Sequence, residues 1–187
     1  MIHETARLYG NNTIDDNCWL FEDVIVGYPD ADILNEMRKL RWIIGRRVEK
    51  AAKYDKGLED IECLQIPHTP EGYKHSYQSY VVMLRDPAHV VIGADKLDKF
   101  RNARDSIMAK LAEKGIATRQ GTSAVHSLGY YRKKYGLKED DFPMALRAEW
   151  LSIALPLYPQ MTDEEQDYVI KNLRQAVKEI SLSRASK

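Results

Sequence analysis

Apolar residues recur every three or four positions over three long stretches of this chain, and they run together without a polar break in a fourth. Ile33, Met37, Leu40, Ile44, Val48 and Ala51 form the first stripe. It predicts a helix over residues 33–56, which at ~1.5 Å per residue spans about 36 Å. Leu97, Phe100, Ala103, Ile107 and Leu111 form the second, a helix that begins between residues 95 and 102 and runs to Lys114. Gly115 follows as a residue able to take the left-handed stop. Val169, Leu173, Ala176 and Ile180 form the third. Its start is marked by a capping box: the Thr162 hydroxyl accepts the Glu165 amide proton, and the Glu165 carboxylate returns to the Thr162 N–H. Asp163 and Glu164 add negative charge at the positive end of the helix dipole.

The strand signals are shorter. Residues 73–84 alternate, placing His75, Tyr77, Ser79 and Val81 on one face and Ser76, Gln78, Tyr80 and Val82 on the other. Residues 61–66, 116–119 and 23–26 also read as strands, and residues 90–92 form a brief apolar run broken by Gly93. The continuous run SIAL at 152–155 reads as a buried strand, stopped by Pro156 and Pro159. A polar and aromatic loop carries Arg119, His126 and Tyr130, and Pro143 suits the first turn of a short helix reaching Leu151. The alternation of helices with about three core strands predicts an α+β fold. Its sheet is small and mostly antiparallel, with helices packed on one face and one long N-terminal helix. Residues 1–32 read as an irregular lead segment, turn-rich at Asn11, Asn12, Asp15, Asp16 and Asn17. Residues 33–187 read as one domain, with the closing SRASK expected to fray.

Composition narrows the class without naming a function. A chain of 187 residues can bury roughly 70% of its unfolded surface, so it needs no staple. Lys plus Arg and Asp plus Glu both total 28, which removes any global electrostatic case for nucleic acid or a membrane surface. Locally, Arg38, Lys39, Arg41, Arg46, Arg47, Lys50 and Lys53 make the far side of the first helix basic. In a neutral chain this reads as a solvated face rather than a phosphate clamp. Cys18 and Cys63 are far apart and read as free thiols in a reducing cytosol. With no apolar run near the ~20 residues that cross a bilayer and no signal-peptide core, a cytoplasmic location is expected. The histidines lack metal-ligand spacing, and neither a GxSxG elbow nor a glycine-rich phosphate loop occurs.

The order of several short motifs resembles the C-terminal small domain of the DegT/DnrJ-type sugar aminotransferases, which use pyridoxal phosphate to aminate nucleotide-linked keto-sugars. The residues are Gly115-Ile116-Ala117-Thr118-Arg119, Asp141-Phe142-Pro143, Leu155-Pro156-Leu157-Tyr158-Pro159 and Thr162-Asp163-Glu164-Glu165, with Lys74-His75-Ser76-Tyr77-Gln78-Ser79-Tyr80-Val81-Val82 upstream. In the resembled family the small domain closes one side of a cleft, and side chains of the aromatic strand and of the segment after GIxTR help hold the nucleotide-sugar. That implies Arg119, His75, His126, Tyr77 and Tyr130 as substrate-binding candidates. An arginine suits a diphosphate because its planar fork donates two charge-assisted hydrogen bonds, while Tyr and His can bond sugar hydroxyls. The plainer reading makes Arg119 a surface strand end and the others ordinary half-buried or core residues.

The resemblance also implies an absence. In that family the coenzyme's lysine, its pyridine partner and its phosphate cradle lie in a large domain on the N-terminal side. None of the lysines here stands in such a context. A Gly-Tyr that would serve a neighbouring subunit's cofactor phosphate is kept as Gly27-Tyr28, but Asp30 stands where a cation is expected. The expectation is therefore a small domain with no catalytic residue and no coenzyme bound alone. It would be inactive by itself and completed by a separate large-domain chain, or self-associated through an apolar face, with a nucleotide-sugar as ligand. The alternative is a non-catalytic binding or interaction module that retains this fold.

Overall fold

The computed structural model describes residues 7–8, 25–26, 32–85 and 94–185, with side chains placed for 39–85 and 97–180. It divides into two units, residues 1–45 and 46–187. In the first unit β1 (Arg7–Leu8) pairs in parallel with β2 (Ile25–Val26), Arg7 beside Ile25 and Leu8 beside Val26. The helix α1 (Asp32–Leu58) begins in the first unit and ends in the second. Residues 27–30 and the apolar run at 90–92 lie outside the described residues.

The second unit is built on an antiparallel sheet of β3 (Leu64–Gln65), β4 (Tyr80–Leu84) and β5 (Ser152–Leu155), in the order β3-β4-β5. Leu64 faces Leu84, and Tyr80, Val81, Val82 and Met83 face Leu155, Ala154, Ile153 and Ser152. Tyr80, Val82 and Leu84 are buried while Val81 and Met83 are half-buried. Against the sheet stand α2 (Ala94–Glu113) and α4 (Pro143–Leu151), α5 (Asp163–Ala185) packs on α2, and α3 (Gly129–Tyr135) is an exposed helix with no buried residue. The fold is thus α+β, a three-stranded antiparallel sheet with helices and a long first helix. The stripes do the packing: Leu97, Ala103, Ile107 and Leu111 of α2 are buried with Val169, Leu173 and Ala176 of α5. Gly115 takes φ 72°, the left-handed stop that its lack of a Cβ permits. The capping box forms as read, with the Glu165 N–H 3.1 Å from Thr162 Oγ1 and the Thr162 N–H 2.8 Å from Glu165 Oε2.

Four expectations are corrected. The strand over residues 73–84 is confined to Tyr80–Leu84, because Tyr77 adopts φ 47°, a left-handed turn that interrupts the pleat. Residues 116–119 do not form a strand; Arg119 makes one antiparallel bridge with Ala154, and β3 supplies the sheet's third strand. Residues 125–135, read as loop, hold a 3-10 turn (Val125–Ser127) and α3.

The fourth concerns α1. Leu40 and Val48 of its apolar stripe remain 50% and 42% exposed. From residue 46 onward its buried side is instead Lys50, Ala51, Tyr54 and Leu58. Nor is its basic side simply solvated. Lys50, only 2% exposed, places Nζ 2.7 Å from Asp163 Oδ1, and Lys53 Nζ lies 2.8 Å from Asp167 Oδ1. Arg46 Nε donates to the Pro159 carbonyl at 3.2 Å. These cations meet the acidic first turn of α5, so complementary charge on two helices forms a seam. The Lys50 ammonium, followed by that of Lys53, holds the Asp163 carboxyl below its ordinary range, and the bond to Asp167 raises the Lys53 ammonium. Farther along, Arg174 donates to the Gly57 carbonyl and pairs with Asp60.

Candidate functional site

At the end of β5 the chain turns outward through Pro156 and Leu157, since proline cannot continue the ladder. The segment leaving α2 at Gly115 returns past this point, and Arg119 exchanges backbone hydrogen bonds with Ala154, at 2.7 Å from the Ala154 N–H and 3.4 Å in the other direction. Residues Gln78 and Ser79, just before β4, approach from the other side. Together they enclose an open cavity of about 260 Å³ whose polar rim is Arg119, Thr118, Ser79 and Gln78 and whose apolar floor includes Pro156 and Leu157. One permanent cation, two hydroxyls and an amide make this a site that can hold an anion and hydroxyl groups.

The next residues are tied down firmly. Gly121 donates its N–H to Ser152 Oγ at 3.1 Å, and a Cβ there would lie 2.4 Å from Val81 Cγ1. Only glycine allows this strip to lie so close to the sheet. The Ala124 N–H donates to Glu149 Oε2 at 2.7 Å. The end of α4 is fixed in turn by buried Arg104, whose Nη1 donates to the Glu149 and Ser152 carbonyls at 3.3 and 3.4 Å. That satisfies carbonyls a helix terminus leaves open.

The candidate residues fall in three places. Arg119 is exposed on the rim of the cavity. His75 and Tyr77 belong to the turn that leads into it. His75 Nδ1 accepts the Tyr77 N–H at 2.9 Å, and the two rings sit 4.4 Å apart. Tyr77 stacks at 6.3 Å on Tyr80, which donates its hydroxyl to Asp55 Oδ1 at 2.6 Å. Burial, then the Asp55 carboxylate, pushes the Tyr80 hydroxyl pKa upward. His126 is buried beside Phe142, its Nε2 2.9 Å from the Glu139 carbonyl. Tyr130 is exposed on α3, edge-on to Tyr131 at 5.2 Å, with Lys134 Nζ 3.1 Å from its hydroxyl. The turn brings His75 and Tyr77 together, while His126 and Tyr130 sit with the helical stretch beyond Gly121. Gln78, Ser79 and Thr118, passed over as candidates in the sequence, share the cavity with Arg119; the one signal they gave was their place within the quoted motifs.

Pyridoxal phosphate requires a lysine amine free to form a Schiff base. Among the described residues the buried lysine is Lys50, and its ammonium is committed to Asp163. Lys53 and Lys110 are likewise paired, with Asp167 and Glu179. The buried lysine amine among the described residues is therefore held by the fold. Among these residues no helix is long and apolar enough to cross a membrane, and no group of His, Cys, Asp and Glu could hold a metal ion.

Comparison with known proteins gives this surface its context. The spore coat polysaccharide biosynthesis protein SpsC of Bacillus subtilis is 27% identical over 184 residues, which cover 95% of this chain and 45% of SpsC. The chain thus spans just under half the length of that relative. Among solved structures, the aminotransferase TlmJ from Streptoalloteichus hindustanus superimposes with a TM-score of 0.64 at 25% identity, over 79% of this chain and 35% of TlmJ. Spr1654 from Streptococcus pneumoniae in its PLP-form shares the fold with a TM-score of 0.66 at 24% identity, over 79% of this chain and 34% of Spr1654. The model of the DegT/DnrJ/EryC1/StrS aminotransferase family matches residues 31–174, and with the motifs and fold above, the chain belongs to that family.

Proposed function

We propose that residues 33–187 are the substrate-facing small domain of a sugar aminotransferase, and that the coenzyme and its lysine come from a large domain. The observation that carries this reading is the pairing of a formed polar cavity at Arg119 with a buried lysine already neutralised by Asp163. Among the described residues the polar cavity is open to a substrate, while the buried amine is committed to Asp163. When bound, pyridoxal phosphate supplies the electron sink that lets an amino group move between carbon skeletons. This chain's own residues bind and orient. Arg119 offers its fork to the diphosphate of a nucleotide-linked keto-sugar, Thr118 and Ser79 bond sugar hydroxyls, and Pro156 and Leu157 exclude water beneath them.

His75 and Tyr77 act by holding Gln78 and Ser79 at the rim. His126 fixes the far loop through Glu139, and Tyr130 stands exposed for contact with ligand or large domain. The decisive experiment mixes the chain with a separately produced large domain of a family enzyme and follows coenzyme absorbance and amino transfer to a nucleotide-keto-sugar. Neither part alone is expected to turn over; the mixture is. Arg119→Ala should lower kcat/KM of the mixture roughly tenfold to a hundredfold, the effect of losing a charge-assisted bond pair. If no mixture turns over while a nucleotide-sugar still binds, the chain is a binding module and the aminotransferase reading fails.

A further inference from the structure

Among the described residues Tyr77 is the sole non-glycine residue with a positive φ, at 47°. An L side chain crowds the neighbouring carbonyl in that conformation, so it persists only where its surroundings hold it. Three contacts do so here. The Tyr77 N–H donates to His75 Nδ1 at 2.9 Å, the His75 and Tyr77 rings sit 4.4 Å apart, and Tyr77 stacks on Tyr80 at 6.3 Å. The stack on Tyr80 is anchored, because Tyr80 is buried and its hydroxyl donates to Asp55 of α1. The bond to His75 has no such anchor. His75 is exposed, so its ring can take up a proton without leaving water.

That bond fixes a protonation state. A ring nitrogen accepts only through its lone pair, so Nδ1 is bare and the neutral imidazole carries its proton on Nε2. An imidazolium donates from both nitrogens and would set one N–H against another at this contact. Tyr77 would then keep a strained backbone with one of its three supports reversed. The titratable and charged groups about His75 are the Tyr77 ring against it, Tyr80 and Asp55 behind that ring, and exposed Lys74 just before it in the chain.

Gln78 and Ser79 follow the turn directly and line the cavity with Arg119, while Tyr80 is held in register opposite Leu155. One end of this short segment is thus fixed by the sheet and the other by the turn. A change at Tyr77 is passed to the two residues between them.

We infer that the turn from His75 to Tyr77 is a proton-operated hinge for one wall of the Arg119 cavity. With His75 neutral, Gln78 and Ser79 are held at the rim; a proton on Nδ1 releases them. Histidine is the side chain whose ordinary titration falls between pH 5 and 8. The sign follows from the bond: the hold is complete where the imidazole is neutral and is lost as pH falls through its titration. The hinge belongs to the turn and does not depend on what the cavity binds.

The test is an NMR titration of the 187-residue chain across the histidine range, from about pH 8 down to about pH 5. It follows the His75 imidazole and the amides of Tyr77, Gln78 and Ser79. Neutral His75 is expected as the tautomer protonated at Nε2, and the three amides are expected to shift with the midpoint of its ring. His75→Asn supplies a carbonyl oxygen that accepts the same N–H throughout this range. It should keep the turn and abolish the pH response. His75→Ala should show, at the upper end of the range, the amide positions that the native chain reaches only at the lower end. His68→Asn, earlier in the same connection, should leave the response unchanged.

Gln78 and Ser79 amides that do not move with the His75 ring, or that move equally in His75→Asn, overturn the hinge. A neutral tautomer protonated at Nδ1 does the same, as does loss of the response in His68→Asn. None of these readouts involves amino transfer, so the hinge and the aminotransferase reading stand or fall separately.

Discussion

Two regions of the second unit use the same residue types to opposite ends. In the seam between α1 and α5, Lys50, Tyr54 and Gln166 are buried and spent on the fold. Lys50 binds Asp163, Gln166 Nε2 donates to the Lys50 carbonyl at 2.6 Å, and the Tyr54 hydroxyl donates to the Pro156 carbonyl at 2.8 Å. Beyond Gly121, Lys134 and three tyrosines lie exposed, and their recorded partners are one another: Lys134 meets Tyr130 and Tyr135, and Tyr131 meets Tyr130 and Tyr135. A polar or aromatic group satisfied by the fold contributes stability and has nothing left to offer a ligand. One left at the surface contributes little to stability and keeps its capacity to bind. The difference separates side chains spent on the fold from side chains left at the surface.

The comparison can be broken by mutation. The largest effect is expected at Tyr54→Ala, which removes a fully buried ring packed 4.8 Å from Tyr80. It should cost about 3–5 kcal/mol in urea unfolding, and a loss under 1 kcal/mol would mean that the seam is not a core. At the junction of the two regions, Gly121→Ala drives a Cβ into Val81 and Ser152. About 1–3 kcal/mol is expected, together with weaker ligand binding as the strip lifts from the sheet. Unchanged stability and binding would show that this close approach is not needed.

Acid should act more mildly and on the seam. Lys50 lowers the Asp163 pKa, and the Thr162 backbone N–H, then the Tyr158 hydroxyl, lowers that of Glu165. Arg174 does the same for Asp60, and Lys110 for Glu179. Each folded value lies below its unfolded one. The stability these carboxylates add is therefore complete above the ordinary carboxylate range of about 4 and fades as pH falls through the depressed values. Hydrogen exchange followed down the pH scale should show the start of α5 losing protection, and Asp163→Asn should flatten that trend. Tyr135→Ala, at an exposed ring of α3, is the smallest, within about 0.5 kcal/mol in urea unfolding, and a loss above about 1 kcal/mol would show that the α3 rings hold the fold as the seam does.

Much of this was legible in the chain. The stripes at Leu97 to Leu111 and Val169 to Ala176 are buried as their spacing requires, Gly115 ends α2, and the Thr162 capping box is made atom for atom. Such features depend on neighbours within a turn or two, so local sequence suffices. The site was less legible. The motifs drew attention to Arg119 and His75, while Gln78, Ser79 and Thr118 carry no pattern of their own and reach the cavity through the turn at Tyr77 and the bridge at Ala154.

The amino-acid sequence by itself determined the fold class, the helix ends and the family resemblance, because periodicity, caps and ordered motifs are local properties. Only the tertiary structure decided that Lys50 of the basic helix face would be buried against an acid, that an alternating run would break at a left-handed tyrosine, and that a polar loop would become a helix with exposed aromatic rings. The first depends on a partner about a hundred residues away, and the last on the balance between burying a group and leaving it in water, and neither is written in the spacing of a single segment.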